Sequence, residues 1–277
     1  MLPDPDYLFL GGRHALALTL LEYGLSGPGL ITALTGEVGS GKTLLIRTLL
    51  TRLQTNYSVG ILNNTIASAG ADGGGRASSA PELMRWVNMA FGLPYEQHSE
   101  AALYDTFTQH VVSTYASGKR TLLIIDEAQN LGTEALERLR LLTNLNVDQH
   151  DVLQLLVAGQ PELRQLLEQP NLRQFRQRVG VDYHLLPLDA AETAAYVRHR
   201  VQVAGGAATL FADAAMQRIH THSGGLPRAI NLLCELALVY GFAADAFFIT
   251  VDIVDEVLRD RLRATDPCTQ AANTWGQ

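Results

Sequence analysis

The stretch Thr35-Gly36-Glu37-Val38-Gly39-Ser40-Gly41-Lys42-Thr43 decides how this chain is read. Residues 36–43 match GxxxxGK[ST] without a gap. The match follows a short apolar run, Leu30–Leu34, and precedes a segment of 3.6-residue period, Thr43–Gln54. It therefore sits between a predicted strand and a predicted helix, a placement that a chance glycine turn does not require. The glycines let the backbone curl so that successive N–H groups point at one spot, and the following helix adds its positive end. Lys42 is placed to reach β- and γ-phosphates, and the Thr43 hydroxyl to coordinate Mg²⁺. Gly36, Glu37, Val38, Gly39, Ser40, Gly41, Lys42, Thr43 and Leu44 form the expected cradle for ATP.

A magnesium ion needs a second holder. Thr121-Leu122-Leu123-Ile124-Ile125-Asp126-Glu127 is an apolar strand ending in two carboxylates, at the sheet edge where ligands bind in such folds. Asp126 is the expected partner of Thr43 at the metal, and Glu127 the group that polarises the attacking water. A second strand, Val152–Val157, leads to Gln160, a candidate contact to the γ-phosphate or the water; the alternative is a cap on the next helix. Asn63, after Val59–Leu62, is a weaker candidate to hold Glu127 in an inactive pose, and turn geometry explains it equally. Arg173, Arg176 and Arg178 precede the last strand. A guanidinium spreads charge over a phosphoryl transition state and can enter from a neighbouring subunit. Arg178, at the helix–strand junction, is the first choice for that finger and Arg176 the second. A solvated basic face is the alternative for each.

Outward from the loop, apolar runs at Leu30–Leu34, Val59–Leu62, Thr121–Ile125, Val152–Val157 and Val179–Leu185 alternate with helical patterns at Thr43–Gln54, Pro81–Phe91, Ala101–Ser117 and Thr133–Leu142. Continuous apolar strands separated by helices predict an α/β fold, a parallel sheet covered on both faces. Pro161 suits a first helical position. From Asp189 the strands stop, and Asp189–Val203, Asp213–Thr221, Pro227–Tyr240 and Val251–Arg263 read as helices, with Asp189 and Asp213 as N-caps. This predicts a nucleotide-binding domain over 1–188, a helical lid over 189–263, a mobile glycine-rich loop at 68–80 and a disordered tail at 264–277. Arg228 projects from the first turn of a lid helix. A cation there opposes the helix dipole, so a phosphate partner explains it better than helix stability. The sheet followed by a helical lid points, among P-loop proteins, to AAA+.

The 277 residues carry 21 Lys and Arg against 28 Asp and Glu, a formal charge of −7. That balance argues against a generic nucleic-acid or anionic-membrane binder. The late apolar stretch Leu236–Val251 is broken by Asp245, and Met1-Leu2-Pro3-Asp4-Pro5-Asp6 has neither basic start nor apolar run. Cys234 and Cys268 lack ligand spacing, and Cys234 reads as core filling. His220 and His222 point to different sides of one helix, which disfavours metal binding. The expectation is a reduced, soluble, cytoplasmic protein without a membrane span.

These segments resemble the GspA/ExeA-type AAA+ ATPases, which include secretion-pathway and pilus-biogenesis members. The resemblance is carried by Pro3-Asp4-Pro5 with Tyr7-Leu8, the phosphate loop, Ile124-Ile125-Asp126-Glu127-Ala128-Gln129-Asn130-Leu131, Leu141-Leu142-Thr143-Asn144-Leu145, Gly159-Gln160-Pro161-Glu162-Leu163-Arg164, Leu172-Arg173-Gln174-Phe175-Arg176-Gln177-Arg178 and Ser223-Gly224-Gly225-Leu226-Pro227-Arg228. It implies a five-stranded AAA+ core, a helical lid, ATP with Mg²⁺, and a homo-oligomeric ring or filament with sites between subunits. Family members usually carry a short aromatic segment before the Pro-Asp-Pro stretch, and the glycine-rich insertion at Ser68–Ala80 is longer than the family pattern. The secretion members continue into a membrane helix and a peptidoglycan-binding domain, so direct peptidoglycan binding is not expected of this chain. Two roles follow: an ATP-driven assembly factor for a secretion, pilus or polysaccharide-export system, or an ATP-dependent DNA-binding helper of transposition that recruits a transposase. A slow-turnover nucleotide switch is the third.

Overall fold

The computed structural model describes residues 9–27, 30–53, 56–63, 80–96, 99–147 and 150–265. In chain order the elements are α1 (Gly12–Ser26), β1 (Ile31–Gly36), α2 (Lys42–Leu53), β2 (Tyr57–Asn63), α3 (Ala80–Ala90), α4 (Glu100–Ala116), β3 (Arg120–Asp126), α5 (Thr133–Leu142), β4 (Asn146–Val147), β5 (His150–Asp151), β6 (Leu153–Gly159), α6 (Pro161–Leu167), α7 (Arg173–Gln177), β7 (Val179–Leu185), α8 (Ala190–Val203), α9 (Asp213–Ser223), α10 (Pro227–Ala243) and α11 (Val251–Thr265). A 3₁₀ turn, Ala128–Asn130, follows β3. Two compact units result. Leu16–Glu37 with Lys42–Leu185 form the sheet unit; Met1–Ala15, Val38–Gly41 and Leu186–Gln277 make up the other.

The sheet unit holds five strands in the order β2-β3-β6-β1-β7, and every pairing between neighbours is parallel. The three central strands, β1, β3 and β6, are buried almost throughout, which explains their largely apolar sequences, whereas the edge strands β2 and β7 are partly exposed and carry polar residues such as Asp182 and His184. Leu123 and Ile125 of β3 face a core built with Leu103, Phe107 and Val111 of α4 and Leu136 and Leu139 of α5. Leu122 and Ile124, one residue out of phase, face a second core with Ala17, Leu18 and Leu21 of α1 and Leu45, Ile46 and Leu49 of α2. Helix α4 buries Leu103, Phe107, Val111 and Thr114 along one stripe, and the Ser99 hydroxyl accepts the Ala102 N–H at 3.3 Å to cap it.

Helix α1 and the strands β4 and β5 lay outside the sequence reading. Helix α1 has no side-chain start signal, and its apolar residues spread around the helix. The short antiparallel pair β4–β5 has two residues a side, too few for an alternation to register.

In the helical unit α8 begins with a capping box: Asp189 Oδ1 accepts the Glu192 N–H at 2.9 Å, and Glu192 accepts the Asp189 N–H at 3.1 Å. Asp213 is not an N-cap. Ala212 holds that extended position, and Asp213 is the first helical residue, where its charge still suits the dipole. Tyr196, Val197, Phe211, Met216, Ile219, Ile230, Leu233 and Val254 form the core. Cys234 packs against it, and burial pushes its thiol up to about 12. His220 Nδ1 lies 3.0 Å from the Thr193 hydroxyl.

Helix α11 runs two residues past its expected end. The rest of the expected tail lies outside the described residues, as does the glycine-rich loop 68–80 apart from Ala80. Among the described residues no helix is long and apolar enough to cross a membrane.

Candidate nucleotide site

Strand β1 ends at Gly36 and helix α2 begins at Lys42, so the glycine-rich stretch connects them directly. Gly39 and Gly41 sit at φ +80° and +103°, the left-handed region that an L side chain enters only with strain. A Cβ at Gly39 would also lie 2.6 Å from the Cβ of Arg228. Glycine is therefore demanded twice at that position, by the turn and by the close approach.

In the sheet unit, Lys42 is buried, and its Nζ donates to the carbonyls of Gly36 at 2.7 Å and Glu37 at 3.0 Å. Burial lowers its pKa from the usual lysine value, against the opposing pull of Glu127, Asp126, Glu37 and Glu162. Thr43 Oγ1 donates to Asp126 Oδ2 at 3.0 Å, although the two residues belong to α2 and β3. Asp126 is 8% exposed, and its other oxygen accepts the Glu127 N–H at 3.0 Å. The chain thus brings a hydroxyl and a carboxylate to one spot. That oxygen set suits Mg²⁺, which takes one or two carboxylates together with substrate phosphates and waters.

Glu127 follows in a left-handed conformation, φ 56°, that turns its side chain out of the strand's alternation. Its Oε2 accepts Gln129 Nε2 at 2.6 Å and Gln160 Nε2 at 3.0 Å. Burial pushes its pKa up, but these two amides and the Lys42 charge outweigh burial, and the carboxyl titrates below the usual range. Gln160 occupies the N-cap position of α6, with Pro161 next, yet its amide does not cap the helix; it goes to Glu127. Asn63 stands opposite Asp126 in the strand register, and among the described residues the amides on Glu127 come from Gln129 and Gln160. Gln129 is the member of the site that the sequence reading left without a role.

Arg173 and Arg176 are exposed on α7. Arg178 is half-buried, and its Nη1 donates to the Thr143 hydroxyl at 2.9 Å. Its carbonyl accepts the Ile31 N–H at 3.2 Å, at the start of β1. Gly36 lies at the other end of that strand, roughly 17 Å away at ~3.3 Å per residue. That is further than an arginine side chain extends.

Within the helical unit, the Arg228 N–H donates to the Gly39 carbonyl at 3.2 Å from the first turn of α10. His14, from the start of α1, places Nε2 2.9 Å from the Ser40 carbonyl. Ser40 itself is fully buried.

Comparison with known proteins gives the family and the fold. Over 243 residues the chain is 43% identical to General secretion pathway protein A of Aeromonas hydrophila, a match that covers 87% of this chain and 42% of that protein. The chain therefore spans less than half the length of this relative. Among solved structures it resembles the ORC2 protein of Aeropyrum pernix in its ADP form, with TM-score 0.62 and 19% identity over 89% of this chain and 67% of that one. It also resembles Cdc6p of Pyrobaculum aerophilum, with TM-score 0.63 and 17% identity over 90% and 68%. The RuvB branch migration motor of Thermotoga maritima follows, with TM-score 0.54 and 18% identity over 92% and 73%. At these identities the likeness is one of fold. Residues 26–167 match the AAA-domain family AAA_22, and the chain accordingly belongs to that family, as a P-loop ATPase of the general-secretion-pathway-protein-A type.

Proposed function

We propose that this protein binds ATP with Mg²⁺ and hydrolyses it where copies of the chain meet in a ring or filament, and that the cycle drives assembly or remodelling of an envelope secretion, pilus or polysaccharide-export system. The observation that carries the chemistry is the 3.0 Å contact between Thr43 and Asp126, with Glu127 next in the chain. Thr43 and Asp126 would hold the ion, which when bound neutralises charge on the phosphate oxygens. Lys42 exchanges its two carbonyl partners for the β- and γ-phosphates. Glu127 orients the attacking water and takes its proton, and Gln160 contacts the terminal phosphate. Arg178 acts on the nucleotide of a neighbouring copy, because it sits at the far end of β1 from its own phosphate loop. Arg228 is assigned to sensing the nucleotide from the lid.

The name of the Aeromonas relative puts that protein in a general secretion pathway, and 43% identity supports the same class of machinery here. A second reading, a DNA-binding transposition helper, draws on the exposed Arg173 and Arg176, which would line a groove after assembly. Two measurements test the proposal. ATP turnover per chain should rise steeply with protein concentration, and Glu127→Gln should bind ATP while hydrolysing it at least tenfold more slowly. Concentration-independent turnover would remove the shared site, and retained ATP binding with negligible turnover would mark a nucleotide switch. Salt-sensitive binding of duplex DNA seen only with ATP would favour the second reading.

A further inference from the structure

Three segments of the sheet unit meet at one oxygen atom. Glu127 Oε2 accepts the amide of Gln129 from the 3₁₀ turn after β3 and the amide of Gln160 from the end of β6. Gln129 is itself oriented: its Oε1 accepts the backbone N–H of Gln160 at 3.1 Å, so its NH₂ group must face the carboxylate. Gly159 makes room for this arrangement. A Cβ there would lie 2.6 Å from Gln129 Oε1 and 2.9 Å from Leu163 Cδ2. The left-handed backbone of Glu127 completes the closed circuit of carboxylate, two amides and one backbone N–H.

We propose that Gln129 is a positioning residue for phosphoryl transfer. It pins Oε2 so that Oε1 is presented to the attacking water, and it holds the Gln160 backbone so that one hydrogen of the Gln160 amide serves Glu127 while the other faces the terminal phosphate. The base and the phosphate contact are thereby fixed to each other rather than to the solvent, an arrangement whose benefit is realised in the transition state. The inference rests on the hydrolytic reading of Glu127 above.

The test uses Gln129→Glu, which keeps the acceptor for the Gln160 N–H but replaces the donor with a second carboxylate oxygen, and Gln129→Met, which removes both polar functions without adding charge. Both should lower kcat at least tenfold with KM for ATP within threefold of wild type. Without turnover, affinity for ADP with aluminium fluoride should fall by a similar factor, while affinity for ADP with beryllium fluoride stays within threefold. The inference is overturned if both variants keep kcat within twofold, or if both analogues are lost equally, which is the mark of general damage. Glu127→Gln is measured alongside. If it hydrolyses ATP as fast as wild type, the hydrolytic reading itself fails. If it is slow while the Gln129 variants match wild type, only the role of Gln129 fails.

Discussion

The carbonyl of Arg178 accepts the Ile31 N–H, whereas Gly36, five residues further along the same strand, opens the phosphate loop. Arg178 is thus separated from its own cradle by the length of β1. An arginine that serves phosphoryl transfer from that place must serve another copy. Arg178→Ala should reduce ATP turnover by at least about 1,000-fold, the lower end of the range ascribed to arginine fingers, while sparing ATP binding. Mixing Arg178→Ala with Lys42→Ala should restore part of the activity, because one supplies intact cradles and the other intact fingers. Absence of complementation, together with full activity of Arg178→Ala, would shift the role to Arg176 or remove it.

Lys42 holds a buried ammonium against two backbone carbonyls, a placement whose desolvation the neighbouring acids only partly offset. Lys42→Met fills the same volume without the charge, so folding should survive. Charge-assisted hydrogen bonds contribute about 1.5–3 kcal/mol, so ATP affinity should fall at least about tenfold. A fluorescent ATP titration reads this directly. Unchanged affinity would mean that the cradle does not use this lysine.

Much of the sheet was legible because burial on both faces leaves its mark in the central strands: Leu122 to Ile125 are apolar where helices cover both sides. The pairing of Thr43 with Asp126 was legible for a similar reason, since a loop after one strand and an acid at the end of another meet at the same sheet edge. Gln129 was not. Its role depends on the left-handed turn at Glu127 and on the bare Cα of Gly159, and neither leaves a periodic signal. Asn63, the weaker candidate for which turn geometry was an equal reading, ends a neighbouring strand, whereas the amides that reach the carboxylate here arrive from the 3₁₀ turn and from β6. Asp213 was misplaced by one residue because an acid at the first helical position and an acid at the cap look alike in sequence.

Gly225 stands at φ +74°, and a Cβ there would lie 1.9 Å from the Leu188 carbonyl oxygen. Its own carbonyl accepts the Leu188 N–H at 2.9 Å, so the two backbones cannot move apart without losing that bond. Left-handed strain costs about 1–2 kcal/mol, and the clash adds to it. Gly225→Ala should destabilise the helical unit by at least about 2 kcal/mol. Gly224, at φ +60° with nothing within 4 Å of an added Cβ, is the control: Gly224→Ala should cost the backbone strain alone. Denaturation curves for the two variants that coincide would show that the Leu188 contact does not constrain this turn.

His14 is 6% exposed, with Nε2 against the Ser40 carbonyl and, among the described residues, no hydrogen-bond partner for Nδ1. Burial lowers its pKa below the ordinary 6.5; the Ser40 carbonyl and Glu192 pull it upward but are outweighed. The folded protein therefore binds this proton less readily than the unfolded chain does. Stability is fully present above pH 6.5 and is lost as the pH falls below it, until the folded imidazole also titrates. His110, whose pKa burial also lowers, acts in the same direction. The melting temperature should consequently drop between pH 7 and pH 5. The drop should be shallower in His14→Gln, which keeps a donor for Ser40 and has no group to protonate. Parallel slopes for wild type and variant would transfer the effect to His110, and the matching measurement on His110→Gln would then carry the difference.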